Sequence, residues 1–355
     1  MTASLTVSDP ECIIDTNFMN ILITGGAGFI GSRLGLYLTE KGHKVIPLDN
    51  LSFGYKRNFS GNRKLLSNFI NLDIRSPKLE KIMKKVDVVF HLASISFLPW
   101  CNNHPNEAYQ VNLGGTANVL EMARRNNVKR VIFSSTSAIY ENETVLPFKE
   151  SIQPKPTLIY AQTKKAGEEL CKSFIEMYGM DIAILRFFNV YGPHSDYRPP
   201  SNLMTYIIQS LLKKEAPLLH SNGKQARDFI FVSDVVRLCE IAATHPKAKN
   251  EVFNVGSGKQ VTVTEIFNII AESLGEKNIK PVFRDPKLIW EKFPQQFQGN
   301  YPLDTSLLDK EVNKLTLASI KKAQKMLNWK AEINIKEGLT QTIAYALEEK
   351  EVKKI

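Results

Sequence analysis

Short runs of aliphatic and β-branched residues alternate with stretches of helical periodicity as far as about residue 190. The runs NILIT (20–24), KVIPLD (44–49), NFINLD (68–73), VDVVFHLA (86–93), RVIFSS (130–135) and DIAILRF (181–187) read as strands. Most are apolar throughout rather than at every second position, the pattern of strands covered on both faces. Between them, IGSRLGLYLTEKG and EAYQVNLGGTANVLEMARRNN repeat their apolar residues at helical spacing. Alternating strands and helices, with the strands buried on both sides, predict an α/β chain built on a parallel, doubly wound sheet.

Beyond residue 190 the pattern loosens. YGPHSDYRPPSN is rich in proline and turn residues. It precedes a helix (LMTYIIQSLLKK), a short strand (FIFV), a helix (DVVRLCEIAATH), a strand (EVFNV) and two later helices. These elements predict a smaller C-terminal domain interleaved with the first. The expected division is an extension over 1–18, a cofactor domain over 19–188 to which 228–256 returns, a substrate domain over 189–227 and 257–348, and a tail over 349–355. The stretch from Asp285 to Val312 shows no period and reads as a long functional loop or a disordered insertion.

Composition narrows the function classes. A chain of 355 residues with 43% hydrophobic and 23% charged residues can bury a large core. No apolar run reaches the length of a membrane span, and the first seventeen residues lack the pattern of a secretion signal. Cys12, Cys101, Cys171 and Cys239 stand far apart with no C-x-x-C, so a reduced, cytoplasmic protein without a metal site is expected. The net charge of +10 points to an acidic partner. Its lysines are scattered and no basic motif is interleaved with aromatics, so neither nucleic acid nor a membrane is expected as that partner; a phosphorylated small molecule fits better.

Candidate chemistry begins at ILITGGAGFIGS, where Gly25, Gly26, Gly28 and Gly31 follow a strand and open a helix. Glycine lets the backbone turn tightly against a pyrophosphate, and the helix N-terminus adds N–H donors and partial positive charge. The second strand ends at Asp49, at the spacing of an acid that accepts from a ribose diol and repels a 2′-phosphate, which favours NAD over NADP. Asp73 and Ile74 end the third strand; the acid could accept from adenine or simply cap a turn. In LIYAQTKKAGEEL, Tyr160 and Lys164 stand four apart, on one face of a helix.

The motifs TGGAGFIG, LDN, LDI, HLAS, VNLGGT, SSTSAIY, YAQTK, LRFFNVYGP, RDFIFVSDVV and FNVGSG occur in order. Together they resemble the extended short-chain dehydrogenase/reductases, within them the NAD-dependent nucleotide-sugar epimerase/dehydratase group. The resemblance covers about residues 19–345, apart from the 285–312 stretch. It implies a Rossmann-like fold with a smaller interleaved substrate domain, bound NAD, and a catalytic set of Thr136, Tyr160 and Lys164.

Tyr160 would take the proton of a sugar hydroxyl, most often at C4, and Thr136 would aim that hydroxyl. Bringing a phenol from pKa about 10 to about 7 takes roughly 4 kcal/mol, expected from the Lys164 ammonium and the nicotinium. Cofactor contacts implied around the glycine turn are Gly25, Gly28, Phe29, Ile30 and Gly31, with Asp49, Asn50, Asp73 and Ile74 toward the adenosine. Leu92, Ala93, Ser94, Asn112, Ser134 and Phe187 join Tyr160 and Lys164 toward the nicotinamide. For the nucleotide sugar, the resemblance implies Ser96, Thr136, Ser137, Asn189, Leu203, His220, Arg227 and Arg284. Asn189 and the two arginines would meet the diphosphate, though Arg227 could instead pair with Asp228, and His220 could stack on the base or lie exposed.

In the dehydratase branch an Asp-Glu pair follows the hydroxyl residue, and in the decarboxylase branch a glutamate stands two positions on. Here Ser137 and Ala138 hold those places, so the resemblance implies epimerisation through a transient 4-keto sugar. Alternatives are a net dehydrogenase or keto-reductase, a C2 or C3,5 epimerase, a dehydratase or decarboxylase, and a non-catalytic NAD-binding protein. Glu141 stands where the family motif usually carries glycine. A homodimer through helices at about 104–127 and 157–178 is implied as well, with Ala166, Leu170 and Phe174 on its apolar face or against the parent sheet.

Overall fold

The computed structural model describes residues 18–59, 62–195, 202–285 and 293–352. Most of the N-terminal extension, the end of the tail and residues 286–292 of the aperiodic stretch lie outside them.

Seven strands form one parallel sheet: β1 (Asn20–Thr24), β2 (Lys44–Asp49), β3 (Ile70–Asn71), β4 (Val88–His91), β5 (Arg130–Thr136), β6 (Ile182–Phe187) and β10 (Val252–Val255). Their spatial order is β3-β2-β1-β4-β5-β6-β10, a doubly wound arrangement that reverses between β1 and β4. Side chains of successive strand residues face opposite sides, and the core divides accordingly. Ile21 and Ile23 pack with Leu34, Leu38 and Val235 from the helices Phe29–Glu40 and Val232–Thr244 on one side. Leu22 packs with Val89, Val119, Phe133 and Cys171 on the other, under the helices Gly115–Arg125 and Ile159–Tyr178.

β7 (Asn189–Tyr191) pairs with β9 (Ala226–Phe231), which pairs with β11 (Gln260–Thr262) in a three-stranded sheet. β8 (Leu218–His220) and β12 (Val282–Arg284) make a two-stranded one. The helices Leu203–Leu212, Val263–Ser273 and Ile335–Val352 close a third core around Tyr191, Phe231 and Leu339. No helix among the described residues is long and apolar enough to cross a membrane.

Two sequence expectations change. The strand read over 68–73 shrinks to two residues, because it lies at the sheet edge and the chain turns at Asp73, whose carboxylate accepts the Arg75 N–H. The aperiodic 285–312 stretch is not bare loop in its described part. It carries the helix Thr305–Asn313, started by Asp304, whose side chain accepts from the Ser306 N–H. At nine residues this helix is too short to print a readable period.

The helix Ile159–Tyr178 is fastened to the sheet by a buried ion pair. Glu168 and Arg186, with side chains 0% and 3% exposed, meet through two hydrogen bonds of 2.9 and 2.7 Å. Ser135 donates to Glu168 at 2.5 Å, and Arg186 donates to the Tyr140 hydroxyl at 2.6 Å. Removing one partner strands the other charge without water. Arg186→Met is therefore expected to cost about 3–5 kcal/mol in urea unfolding, and the double variant Arg186→Met/Glu168→Leu to recover much of that loss.

Candidate active site

Ligands of open α/β sheets bind beyond the carboxyl ends of the strands, where the order reverses. The glycine turn lies at that place, between β1 and the helix Phe29–Glu40. Gly25 has φ 69°, and an added Cβ there would lie 2.7 Å from the Ala93 nitrogen; one on Gly31 would run into the Gly25 carbonyl oxygen. First-turn N–H groups of a helix have no intrahelical acceptor, and this first turn carries no acidic residue. Asp49, at the end of β2, accepts the Ala27 N–H at 3.1 Å and the Leu51 N–H at 2.8 Å, which sets the acid beside the turn. Burial raises its pKa against the pull of those two bonds. Bare backbone, unspent donors and a strand-end acid in one corner fit a dinucleotide.

Asn50 donates to Asp73 at 3.0 Å. Asp73 also accepts from the Arg75 guanidinium and backbone, which hold its pKa down to about 2. It thus caps its own turn, and Ile74 is buried against Gly115.

The loop after β4 is positioned from outside. Thr24 accepts the Ala93 N–H at 3.3 Å. The Asn112 side chain accepts the Ile95 N–H at 2.8 Å and donates to the Ile95 carbonyl at 3.0 Å. It also donates to the Thr163 hydroxyl at 3.0 Å, tying the loop to the next helix. Asn112 lies in a π-turn, Gln110–Gly114, between the helices Pro105–Tyr109 and Gly115–Arg125. Ser94 is half-buried and Ser96 exposed. Ser134 donates to the His91 carbonyl at 2.9 Å, and Phe187 lies opposite Thr136 in the β5–β6 register.

Buried residues of the helix Ile159–Tyr178 include Tyr160, Thr163, Lys164, Gly167, Glu168 and Cys171, spaced three or four apart on one face. The Thr136 side chain stands near enough to the Tyr160 phenol to draw its pKa down. Thr136 accepts the Ala138 N–H at 3.1 Å, starting the turn Ser137–Tyr140 in which Ser137 is buried. Burial pushes the Tyr160 phenol up to about 12, against the opposing pull of Thr136. It pushes Lys164 down to about 8, against the pull of Cys171 and Glu168. For the protein's own groups, burial therefore sets the direction of both shifts. The Lys164 Nζ lies 4.5 Å from the centre of the Phe133 ring.

On the substrate side, Asn189 donates to the Asp228 carbonyl at 3.0 Å. Arg227 does not pair with Asp228, since neighbours along a strand face opposite sides. Its guanidinium donates to the Glu311 and Val312 carbonyls in the last turn of the helix Thr305–Asn313, a favourable place for a cation. The Asp228 carboxylate accepts instead from Ser257, Gly258 and Ala318. His220 and Arg284 lie in register on the two-stranded sheet, apart from β9, with His220 half-buried and Arg284 exposed. Leu203 opens the helix Leu203–Leu212 and is half-buried. The fold thus gathers Thr136, Tyr160 and Lys164 into one cluster, with the diphosphate candidates Asn189 and Arg227 on adjacent strands of the three-stranded sheet and Arg284 on the two-stranded one. Sequence reading missed Glu168 and Arg186; the signal was a third polar residue on the catalytic face, four beyond Lys164.

The model of the NAD dependent epimerase/dehydratase family matches residues 21–256. A protein of Methanocaldococcus jannaschii with the provisional name UDP-glucose 4-epimerase is 35% identical over 326 residues, 91% of this chain and 97% of that protein. A UDP-glucuronate 4-epimerase of Thermodesulfobacterium geofontis is 32% identical over 92% of this chain and 96% of its own. The crystal structure of the Thermotoga maritima UDP-glucose 4-epimerase with UDP-glucose superposes with a TM-score of 0.80 at 32% identity, covering 93% of this chain and 99% of that one. With an intact glycine turn and strand-end acid, the chain belongs to the NAD dependent epimerase/dehydratase family and is an NAD-dependent enzyme.

Proposed function

We propose that the protein epimerises a nucleotide-diphosphate sugar, inverting C4 of a UDP-hexose, UDP-N-acetylhexosamine or UDP-hexuronate. The observation that carries this reading is the buried cluster of Thr136, Tyr160 and Lys164, with the Thr136 side chain drawing the phenol's pKa down, followed by Ser137 and Ala138 where an elimination would need an acid. In this reading Thr136 orients the sugar hydroxyl and Tyr160 takes its proton, then returns it after the keto sugar has turned over. Gly25, Gly28, Phe29, Ile30, Gly31 and Asp49 would hold the cofactor's phosphates and ribose. NAD, when bound, supplies reversible hydride acceptance and a second positive charge beside Lys164. Lowering the phenol from about 12 to near neutrality takes roughly 7 kcal/mol of differential stabilisation, within reach of two close cations in a dry site. Asn189, Arg227 and Arg284 are the candidates for the diphosphate.

The decisive experiment follows sugar NMR spectra of UDP-glucose, UDP-N-acetylglucosamine and UDP-glucuronate incubated with the protein. Interconversion at C4 is expected for one or more, at a rate that Tyr160→Phe lowers by at least ~10²-fold. No interconversion of any of the three, or net change in nicotinamide absorbance, would turn the reading toward a dehydrogenase or reductase. Asp49→Ala is expected to weaken NAD binding about 10–100-fold by calorimetry, the scale of hydrogen bonds to a charged group, and to narrow discrimination against NADP. We also infer a homodimer. Tyr109, Met177 and Tyr178 are exposed along the helices Pro105–Tyr109 and Ile159–Tyr178, and Leu170 and Phe174 are half-buried against the parent core. Light scattering should give twice the chain mass of 40.1 kDa.

A further inference from the structure

Two segments carry the proposed proton-transfer pair. One is the turn after β5, with Thr136 at its head; the other leads into the helix Ile159–Tyr178, with Tyr160 at its second residue. The Ser135–Glu168 hydrogen bond, between the residue before Thr136 and the helix two turns beyond Tyr160, joins them once. A second joint lies on the same two segments. Glu141, 9% exposed, follows the turn Ser137–Tyr140 directly. Its Oε1 accepts the Leu158 N–H at 2.8 Å and also the Thr157 N–H. Asn142 extends the seam, donating at 2.8 Å to both the Lys155 carbonyl and the Thr157 hydroxyl.

Leu158 is the N-cap residue of the helix and has no side chain to cap it. Glu141 supplies, from across the gap, an acceptor at the helix entrance that the local sequence lacks, and its charge opposes the positive end of the helix. Its other oxygen, Oε2, is buried without a hydrogen-bond partner. Glu141 lines a cavity with Asn142, Leu158, Leu307, Lys310 and Glu311. One carboxylate therefore holds the catalytic helix with one oxygen while lining a cavity whose far wall belongs to the substrate-side segment.

We propose that Glu141 is a positioning residue for proton transfer, fixing how the catalytic helix enters beside Thr136 and so how the phenol meets that hydroxyl. This rests on the reading of Tyr160 as the acid–base group. Only Ser137–Tyr140 separates Glu141 from Thr136 on one segment and only Ile159 separates Leu158 from Tyr160 on the other, so loosening Glu141 frees the helix entrance nearest the phenol, while the Asn102 contact to Ile159 and the Ser135–Glu168 bond farther along stay in place. The effect belongs in turnover rather than affinity, because the hydrogen bonds of Glu141 among the described residues run to the helix entrance and not to the glycine turn or the arginines.

The test compares Glu141→Ala, which removes the acceptor, with Glu141→Gln, which keeps an acceptor oxygen without the charge. Glu141→Ala is expected to lower kcat at least ~10-fold with KM within about twofold, and Glu141→Gln to restore most of that loss. Hydrogen exchange needs no substrate. The amides of residues 157–160 should exchange faster in Glu141→Ala and close to the wild-type rate in Glu141→Gln. Wild-type turnover and exchange in Glu141→Ala would overturn the proposal. So would a loss confined to KM or NAD content, or a Glu141→Gln variant as impaired as Glu141→Ala. If the exchange pattern holds while the wild-type protein turns over none of the UDP-sugars, the epimerase reading fails and the Glu141 joint stands.

Discussion

Two opposite charges sealed from water, Glu168 and Arg186, determine how the helix bearing Tyr160 and Lys164 lies on the sheet. Neither can be solvated, so each is held by the other and by neutral hydroxyls at either end, Ser135 on Glu168 and Tyr140 on Arg186. Tyr140 in turn donates to Asn254 in β10 at 3.0 Å. One chain of polar contacts thus spans β5, β6, β10 and the turn that starts at Thr136. Glu168 lies about one helical turn beyond Lys164 and two beyond Tyr160, so the helix cannot roll or slide without breaking it. Such rigidity is what a proton-transfer pair requires, since misplacement by an ångström costs orders of magnitude in rate.

Dryness has a double effect at this site. It shifts Tyr160 up and Lys164 down, each toward its neutral form. His91, one strand over, is driven down to about 3 by burial and by the nearby Lys164, so it is a neutral spacer between Thr24 and Thr116. The same low dielectric magnifies any charge brought beside the phenol.

Much of this architecture was legible in the residues. The apolar runs of β1, β2, β4, β5 and β6 located the sheet, because strands covered on both sides have a distinctive composition. The glycine turn and Asp49 were readable because backbone curvature and strand-end acids follow local rules. Helical spacing placed Tyr160 and Lys164 on one face. What stayed hidden depended on contacts between distant residues. Arg227 and Asp228 are adjacent in sequence yet face apart, and the partners of Arg227 lie more than eighty positions away. The burial of the Tyr160–Lys164 pair, which raises the phenol's pKa, was hidden too: proximity along a helix says nothing of how much water the fold removes.

The π-turn at Gln110–Gly114 has a consequence for how this segment can change over time. It places one residue more than an α-helical turn between its flanking helices, and about 100° of rotation separates successive helical residues. Loss of a single residue there would rotate one flank against the other and carry the Asn112 amide away from Ile95 and Thr163. The length of this stretch is therefore constrained more tightly than its composition, and insertions or deletions should be purged here even where conservative replacements survive.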